Sequence, residues 1–129
     1  MELTIYGSIT NKFGIFAEAT YFCNNIKNDK IKQSRLNCYH RDEMPPRLLK
    51  CIAEKLKLLK LETQDKIEIF YPSQNYPPHT DEGGISYFIP LEEGTFSING
   101  VNYPVIPFIL YSFEDSNPHN SNFVSIMLK

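Results

Sequence analysis

Three side chains in the C-terminal half of this 129-residue chain have the chemistry of metal ligands. His79 and Asp81 are separated by one residue, and a second histidine, His119, lies much later in the chain. Two imidazoles and one carboxylate form the facial triad by which non-haem Fe(II) oxygenases hold iron, and such a triad leaves coordination positions open for other ligands. The sequence therefore predicts an Fe(II) site formed by His79, Asp81 and His119.

Two alternatives compete with this site. Zinc is the rival metal, because two histidines and a carboxylate also make catalytic zinc sites. Zinc hydrolases usually carry a glutamate base in a His-Glu-x-x-His motif on a helix, and that motif is absent from the sequence. The rival position is a second His-x-Asp pair, His40 and Asp42, which precedes two prolines and a predicted helix. We interpret this second pair as a charged surface cluster before the helix.

Strands must position the triad, and the sequence from residue 66 onward has the pattern of several short strands. Asn99-Gly100 lies between two alternating apolar segments, which is the strongest short-range signal for a β-hairpin. Short strands at regular spacing favour a sandwich or barrel, which would bring His119 back beside the earlier pair. The predicted strands are 67–71, 85–90, 95–98, 101–105, 108–113 and 122–128.

The N-terminal half supplies the rest of the predicted fold. Prolines at 45 and 46 open an apolar pattern of helical period that predicts an amphipathic helix over Pro46–Leu61, packed on one face of a sheet. Segments 3–6 and 35–39 are strand candidates, 13–23 has no settled period, and 24–32 is predicted to be a loop. We expect a single domain over residues 1–129, mainly β with one or two helices, and specifically a double-stranded β-helix (jelly-roll) with a packed amphipathic helix.

Charge is divided unevenly along the chain. Residues 1–66 hold 12 of the 13 Lys and Arg and 8 of the 15 Asp and Glu, and Lys129 is the one cation after residue 66. An anion bound by the C-terminal half must therefore use Lys129, a metal, neutral donors or a cation from the N-terminal half. The net charge of −2 gives no sign of a nucleic-acid or membrane surface.

The cysteines and apolar segments indicate the compartment. Cys23, Cys38 and Cys51 are odd in number and lack Cys-x-x-Cys spacing, as expected of reduced intracellular thiols. The first ten residues lack the pattern of a secretory signal, and no apolar stretch approaches the roughly 20 residues of a membrane helix. We expect a soluble cytoplasmic protein.

The segment around the first two ligands resembles the prolyl 4-hydroxylase-like branch of the Fe(II)/2-oxoglutarate-dependent dioxygenase superfamily. In that family, a strand ending in tyrosine leads to a Tyr-x-Pro-His-x-Asp sequence, which is matched here by Tyr71 and by the segment 76–81. The family also has a Lys or Arg nine or ten positions after the distal histidine, and Lys129 lies ten positions after His119. The resemblance covers about residues 66–129.

The resemblance implies an activity and a set of roles. His79, Asp81 and His119 would bind Fe(II), while Tyr71, Tyr76 and Lys129 would bind the cosubstrate 2-oxoglutarate, and O2 would be the oxidant. Arg35, Arg41 and Arg47 are the alternative cations for the far carboxylate of the cosubstrate. The expected products are succinate, carbon dioxide and a hydroxylated substrate.

The expected substrate is a peptide or protein, with a side chain such as proline as the oxidised group. A nucleic-acid demethylase-like oxygenase is the second interpretation, because the N-terminal half has a formal charge of +4 and could contact phosphates. The alternative of a different class is a non-catalytic cupin-like module that binds metal or protein. The sequence leaves the oligomeric state open.

Overall fold

The described residues of the computed structural model are 2–28, 38–40, 44–61, 67–70, 80 and 83–128. They form nine β-strands and two α-helices, so the fold is mainly β with two helices, as the sequence predicts. A short 3₁₀ turn, Lys12–Gly14, precedes helix α1 (Ile15–Asn28), and helix α2 is Pro46–Leu58. The strands are β1 (Thr4–Ser8), β2 (Cys38–His40), β3 (Ile67–Phe70), β4 (Ile85–Pro90), β5 (Gly94–Ile98), β6 (Val101–Val105), β7 (Ile109–Glu114), β8 (His119–Ser121) and β9 (Ser125–Leu128).

The strands form two antiparallel sheets. The larger sheet has the order β1-β7-β4-β9-β3-β2, and the smaller sheet has the order β6-β5-β8. Side chains alternate between the two faces of the larger sheet, because successive residues of a strand point in opposite directions. One face packs against the helices and the other packs against the smaller sheet, which gives three layers.

Both helices cover the larger sheet with an apolar stripe. In α1 the buried residues are spaced by three or four positions, which is the helical period, and α2 follows the same rule. They pack against one face of the central strands, including Ile89 of β4 and Ile126 of β9. The stripes consist of Ile15, Ala19, Cys23 and Ile26 in α1 and of Leu48, Cys51, Ile52 and Leu56 in α2.

The space between the two sheets is filled mainly by aromatic side chains. Phe88 of β4 lies at its centre, and its ring stacks on Phe96 and Tyr111 at centroid distances of 4.7 and 5.2 Å. Side chains alternate along the last part of the chain, since Phe123 and Met127 face this inter-sheet core, whereas Val124, Ile126 and Leu128 face the helices. This aromatic core holds the two sheets at the spacing that positions His119.

Several predicted boundaries change in the structure. Helix α1 continues to Asn28, so the loop predicted from Asn24 is wrong over residues 24–28, because Ile26 is buried and anchors another helical turn. Helix α2 ends at Leu58 rather than Leu61, and the chain turns at Lys60, which has a φ of +56°. The predicted hairpin is confirmed, and Asn99 and Gly100 have the positive φ values of 51° and 79° that its turn requires. No helix in the described ranges is both long and apolar enough to span a bilayer.

Candidate functional site

His119 occupies the first position of β8, a strand that the sequence did not predict. It lies opposite Ile98 of β5, and the preceding turn is held by two backbone hydrogen bonds. The N–H of Asn117 donates to Glu114 O at 3.2 Å, and the N–H of Asn99 donates to Pro118 O at 2.9 Å. The backbone of His119 is therefore fixed by both the turn and the hairpin.

The imidazole of His119 is buried, with 4% of its surface exposed, and packs against aromatic rings. Its centroid lies 4.5 Å from that of Phe113 at an interplanar angle of 56°, and 6.2 Å from that of Phe96 at 19°. Two flanking rings restrict rotation of the imidazole and exclude water from its faces.

A backbone contact selects the tautomer of His119. Its Nδ1 lies 2.8 Å from Asn117 O, and because a carbonyl oxygen only accepts, Nδ1–H donates in this bond. In the neutral ring the lone pair is then on Nε2. Metal-binding histidines almost always donate their other ring N–H in this way, to a backbone carbonyl or a carboxylate. The described geometry thus fits His119 as a metal ligand through Nε2.

Two polar side chains lie on the same inner face as the ring that contacts His119. Ser86 lies opposite Phe113 in the pairing of β4 with β7. Asp115 follows Phe113 by two positions, and its N–H donates to Gly84 O at 3.0 Å. Ser86 Oγ and Asp115 Oδ1 are buried without a hydrogen-bond partner within the described part of the chain.

The other predicted site residues lie outside the described residues. These are His79, Asp81, Tyr71, Tyr76 and Lys129. Of the competing pair, Asp42 also lies outside the described residues. Only the backbone of His40 is described, in β2 at the edge of the larger sheet. Among the described residues, no group of three or more His, Cys, Asp or Glu side chains could hold a metal ion. His119 is therefore the one ligand of the predicted triad that lies within the described residues.

An open depression lies beside His119 on the smaller sheet. Its volume is about 560 Å³, and its walls carry hydroxyl and amide groups rather than charged groups. It is lined by Ser97, Asn99, Gly100, Pro118, His119 and Asn120. Neutral donors and acceptors of this kind can hydrogen-bond to a peptide backbone.

Cys23 is not a competing reactive group. Burial raises its pKa to about 11, with a further increase from the nearby Glu92 and an opposing effect of Lys27. The thiol is therefore protonated at neutral pH, whereas thiolates are the nucleophilic and metal-binding form. Cys23 and Cys51 are both buried free cysteines on the helix side of the larger sheet.

Sequence reasoning did not find Ser86 and Asp115. Ser86 is a polar residue at an inward position of an otherwise apolar strand, and this break in the pattern was the available signal. Asp115 begins the sequence Asp-Ser-Asn-Pro, which is typical of an ordinary surface turn. Its burial depends on tertiary packing and leaves no mark in the sequence.

No protein-family model matches this chain, and no curated protein is significantly similar to it.

Proposed function

We propose that this protein is an Fe(II)- and 2-oxoglutarate-dependent hydroxylase that acts on a protein side chain such as proline. The observation that carries the proposal is the buried imidazole of His119, whose Nδ1–H is donated to Asn117 O and whose ring lies between the two sheets. The ligand set would be completed by His79 and Asp81, with the two imidazoles and one carboxylate suited to Fe(II).

Strand pairing supports the approach of these ligands. Phe70, at the end of β3, lies opposite Ser125 of β9, and Ile85, at the start of β4, lies opposite Glu114 of β7. The chain segment that carries His79 and Asp81 and the segment that carries His119 are therefore joined to the same two pairs of strands. A site built from both segments requires that they begin and end at neighbouring strands, and this condition is met.

The order of the paired strands along the chain supports a double-stranded β-helix. In the sequence, the hairpin of β5 and β6 lies between β4 and β7, which pair with each other, and these lie between β3 and β9, which also pair. The chain thus runs out and back as paired antiparallel strands distributed over two facing sheets, as in a jelly-roll.

The proposed reaction consumes one 2-oxoglutarate and one O2 for each substrate C–H bond. One oxygen atom enters the substrate as a hydroxyl group and the other enters succinate, while the carboxyl group next to the ketone leaves as carbon dioxide. Bound Fe(II) would supply the redox chemistry that activates O2. His119 would hold one coordination position, and Phe113 and Phe96 would keep its imidazole oriented and dry.

The cosubstrate would be held by Tyr71, Tyr76 and Lys129. A soluble protein of the cytoplasm is the proposed setting, because Fe(II), 2-oxoglutarate and reduced thiols are all found there.

A non-catalytic module that binds metal or protein is the second candidate. It is supported by the same imidazole geometry and by the absence of any Lys or Arg from residues 67–128, which leaves little to attract a dicarboxylate. Such a module would bind Fe(II) without converting 2-oxoglutarate.

The deciding experiment measures succinate formed from 2-oxoglutarate by protein loaded anaerobically with Fe(II) and then exposed to air. We expect slow turnover by the unchanged protein and by His40→Ala, and none by Asp81→Ala or His119→Ala. His40→Ala is the matched control, because it removes the histidine of the other His-x-Asp pair. Fe(II) binding without any succinate from the unchanged protein would favour the non-catalytic module.

A further inference from the structure

Two buried polar groups, on or next to the paired strands β4 and β7, lack hydrogen-bond partners among the described residues. Ser86 is 0% exposed and Asp115 is 6% exposed, and neither Ser86 Oγ nor Asp115 Oδ1 has a hydrogen-bond partner in the part of the chain that the structure describes. Burying a carboxylate oxygen without a partner is costly. Because buried polar groups in native proteins are nearly always satisfied, each of these two atoms requires a partner from outside the described residues.

The strand register places both groups on one face. Paired residues share a face of the sheet, and so do residues two positions apart in one strand. Ser86 pairs with Phe113. Asp115 is the first residue after β7, and the bond from its N–H to Gly84 O at 3.0 Å extends the strand pairing by one residue, so Asp115 shares the face of Phe113. A Cβ atom added to Gly84 would lie 3.8 Å from Asp115 Oδ2, so the carboxylate lies over the glycine.

This face borders the candidate metal ligand. Phe113, which pairs with Ser86, packs against the imidazole, with its ring centroid 4.5 Å from that of His119. Two strand residues span about 7 Å, which is the scale of the backbone separation between Phe113 and Asp115. A four-carbon lysyl stem is of comparable length.

The charge of Asp115 determines what kind of ligand it would accept. An ionised carboxylate only accepts hydrogen bonds, whereas a serine hydroxyl can donate or accept. Residues 67–128 contain no Lys or Arg, so a cation that pairs with Asp115 must come from outside this stretch. A primary ammonium carries three N–H donors and can therefore bond to Asp115 Oδ1 and Ser86 Oγ at once.

We propose that Asp115 and Ser86 bind the ammonium group of a lysyl side chain of the substrate. This inference rests on the proposed function and refines it, because it makes a lysine-containing peptide the substrate class in place of a proline-containing one. Ser86 and Asp115 are substrate-positioning residues in this scheme, and the hydroxylated carbon would belong to the lysyl stem held near His119.

A binding experiment tests the inference without turnover. The probe is N-acetyl-lysine methylamide, followed by chemical-shift changes in the ¹⁵N-labelled protein, and its Nε-acetylated derivative is the uncharged control probe. Asp115→Asn should weaken binding of the charged probe by about 10-fold or more, as expected for loss of a charged hydrogen bond. Glu114→Gln is the matched control variant, because Glu114 is exposed and adjacent, and it should leave binding unchanged.

Three results would overturn the inference. The first is equal binding of the charged and acetylated probes, and the second is an equal effect of Asp115→Asn and Glu114→Gln. The third is a marked loss of thermal stability in Asp115→Asn, because that would indicate an ion pair within the chain. Removing an unpaired buried charge should instead leave stability unchanged or raise it.

A second measurement separates this inference from the proposed function. Succinate formation should increase when a lysine-containing peptide is added and should not respond to the same peptide acetylated on lysine. Succinate formation that depends on Asp81 but does not change when the lysine-containing peptide is added would overturn the inference and leave the proposed hydroxylase function standing. If no succinate forms under any condition, the proposed hydroxylase function is wrong, and the probe-binding experiment still decides whether Asp115 binds an ammonium group.

Discussion

Nδ1 of His119 lies 2.8 Å from the backbone carbonyl oxygen of Asn117. The partner that orients the imidazole is therefore part of the main chain, two residues earlier in the same turn. That turn is itself closed by the bond from the N–H of Asn117 to Glu114 O. The orientation of the ring is a consequence of the fold, so the candidate ligand is positioned before any metal binds.

Replacing His119 with glutamine should abolish tight metal binding while preserving the fold. Loss of a supporting partner of a ligand alone costs about 10- to 100-fold in affinity, so loss of the ligand itself should cost more than about 100-fold. Titration with Co(II), a spectroscopic stand-in for Fe(II), measures the change. His40→Gln should bind Co(II) like the unchanged protein, and a weaker affinity in that control would point to the pair at 40 and 42 instead.

Phe113→Leu should weaken metal binding as well as stability. The substitution removes the ring that packs against His119, and we expect a loss of about 1–2 kcal/mol in the free energy of unfolding, as for a moderate change of core volume. Metal affinity should fall by about 10-fold, because the imidazole is less well oriented.

The control for Phe113 is Phe123→Leu. Phe123 is buried in the same inter-sheet core, and its described ring contact is with Phe88 at 5.8 Å. Chemical denaturation and Co(II) titration of the two variants should give similar stability losses and different metal affinities. Equal affinities would mean that the Phe113 ring only fills space.

Gly94→Ala should destabilise the protein by about 1–3 kcal/mol through overpacking. A Cβ atom at this position would lie 2.7 Å from Asn122 Oδ1 and from two carbon atoms of Phe123. Gly83→Ala is the control, because a Cβ there meets nothing within 4 Å and its φ is outside the left-handed region. Denaturant midpoints should fall for the first variant and remain nearly unchanged for the second.

The sequence predicts those parts of the fold that depend on local patterns. The hairpin at Asn99 follows from a dipeptide that tolerates positive φ, and β4 follows from its apolar residues and flanking glycines. Strand β8 was missed because it is three residues long and polar, and strands of that kind form only when a neighbour pairs with them. Helix α1 was not predicted because other aromatic residues, the exposed Tyr21 and the partly buried Phe16 and Phe22, obscure the helical spacing of its buried residues in the sequence.

The same distinction between local pattern and tertiary contacts applies to the candidate site. The sequence predicts that His119 binds a metal, but it does not predict the burial of His119 or the hydrogen bond at its Nδ1, which depend on tertiary packing. Asp115 and Ser86 could not be predicted, because their importance comes from burial without partners. That property depends on which strands pair, since Ser86 meets Phe113 only through the register of β4 with β7.

Stability should decrease above pH 9 because of Cys23. Its pKa is raised in the folded protein to about 11 by burial, whereas the unfolded thiol titrates near the ordinary value of 9.0. A group whose folded-state pKa is raised contributes its full stabilisation below the unfolded pKa and loses it as the pH rises through the folded pKa. Burial also raises the pKa of Tyr87, with a smaller effect of Tyr6, and this acts in the same direction.

The Cys23 contribution can be isolated with Cys23→Ala. The difference in unfolding free energy between the unchanged protein and this variant should be constant from pH 6 to 8. Between about pH 9 and 11 the difference should shift against the unchanged protein, because its unfolded thiol ionises while its folded thiol does not. Urea denaturation at each pH provides the comparison, and a constant difference across the whole range would show that Cys23 ionises equally in both states.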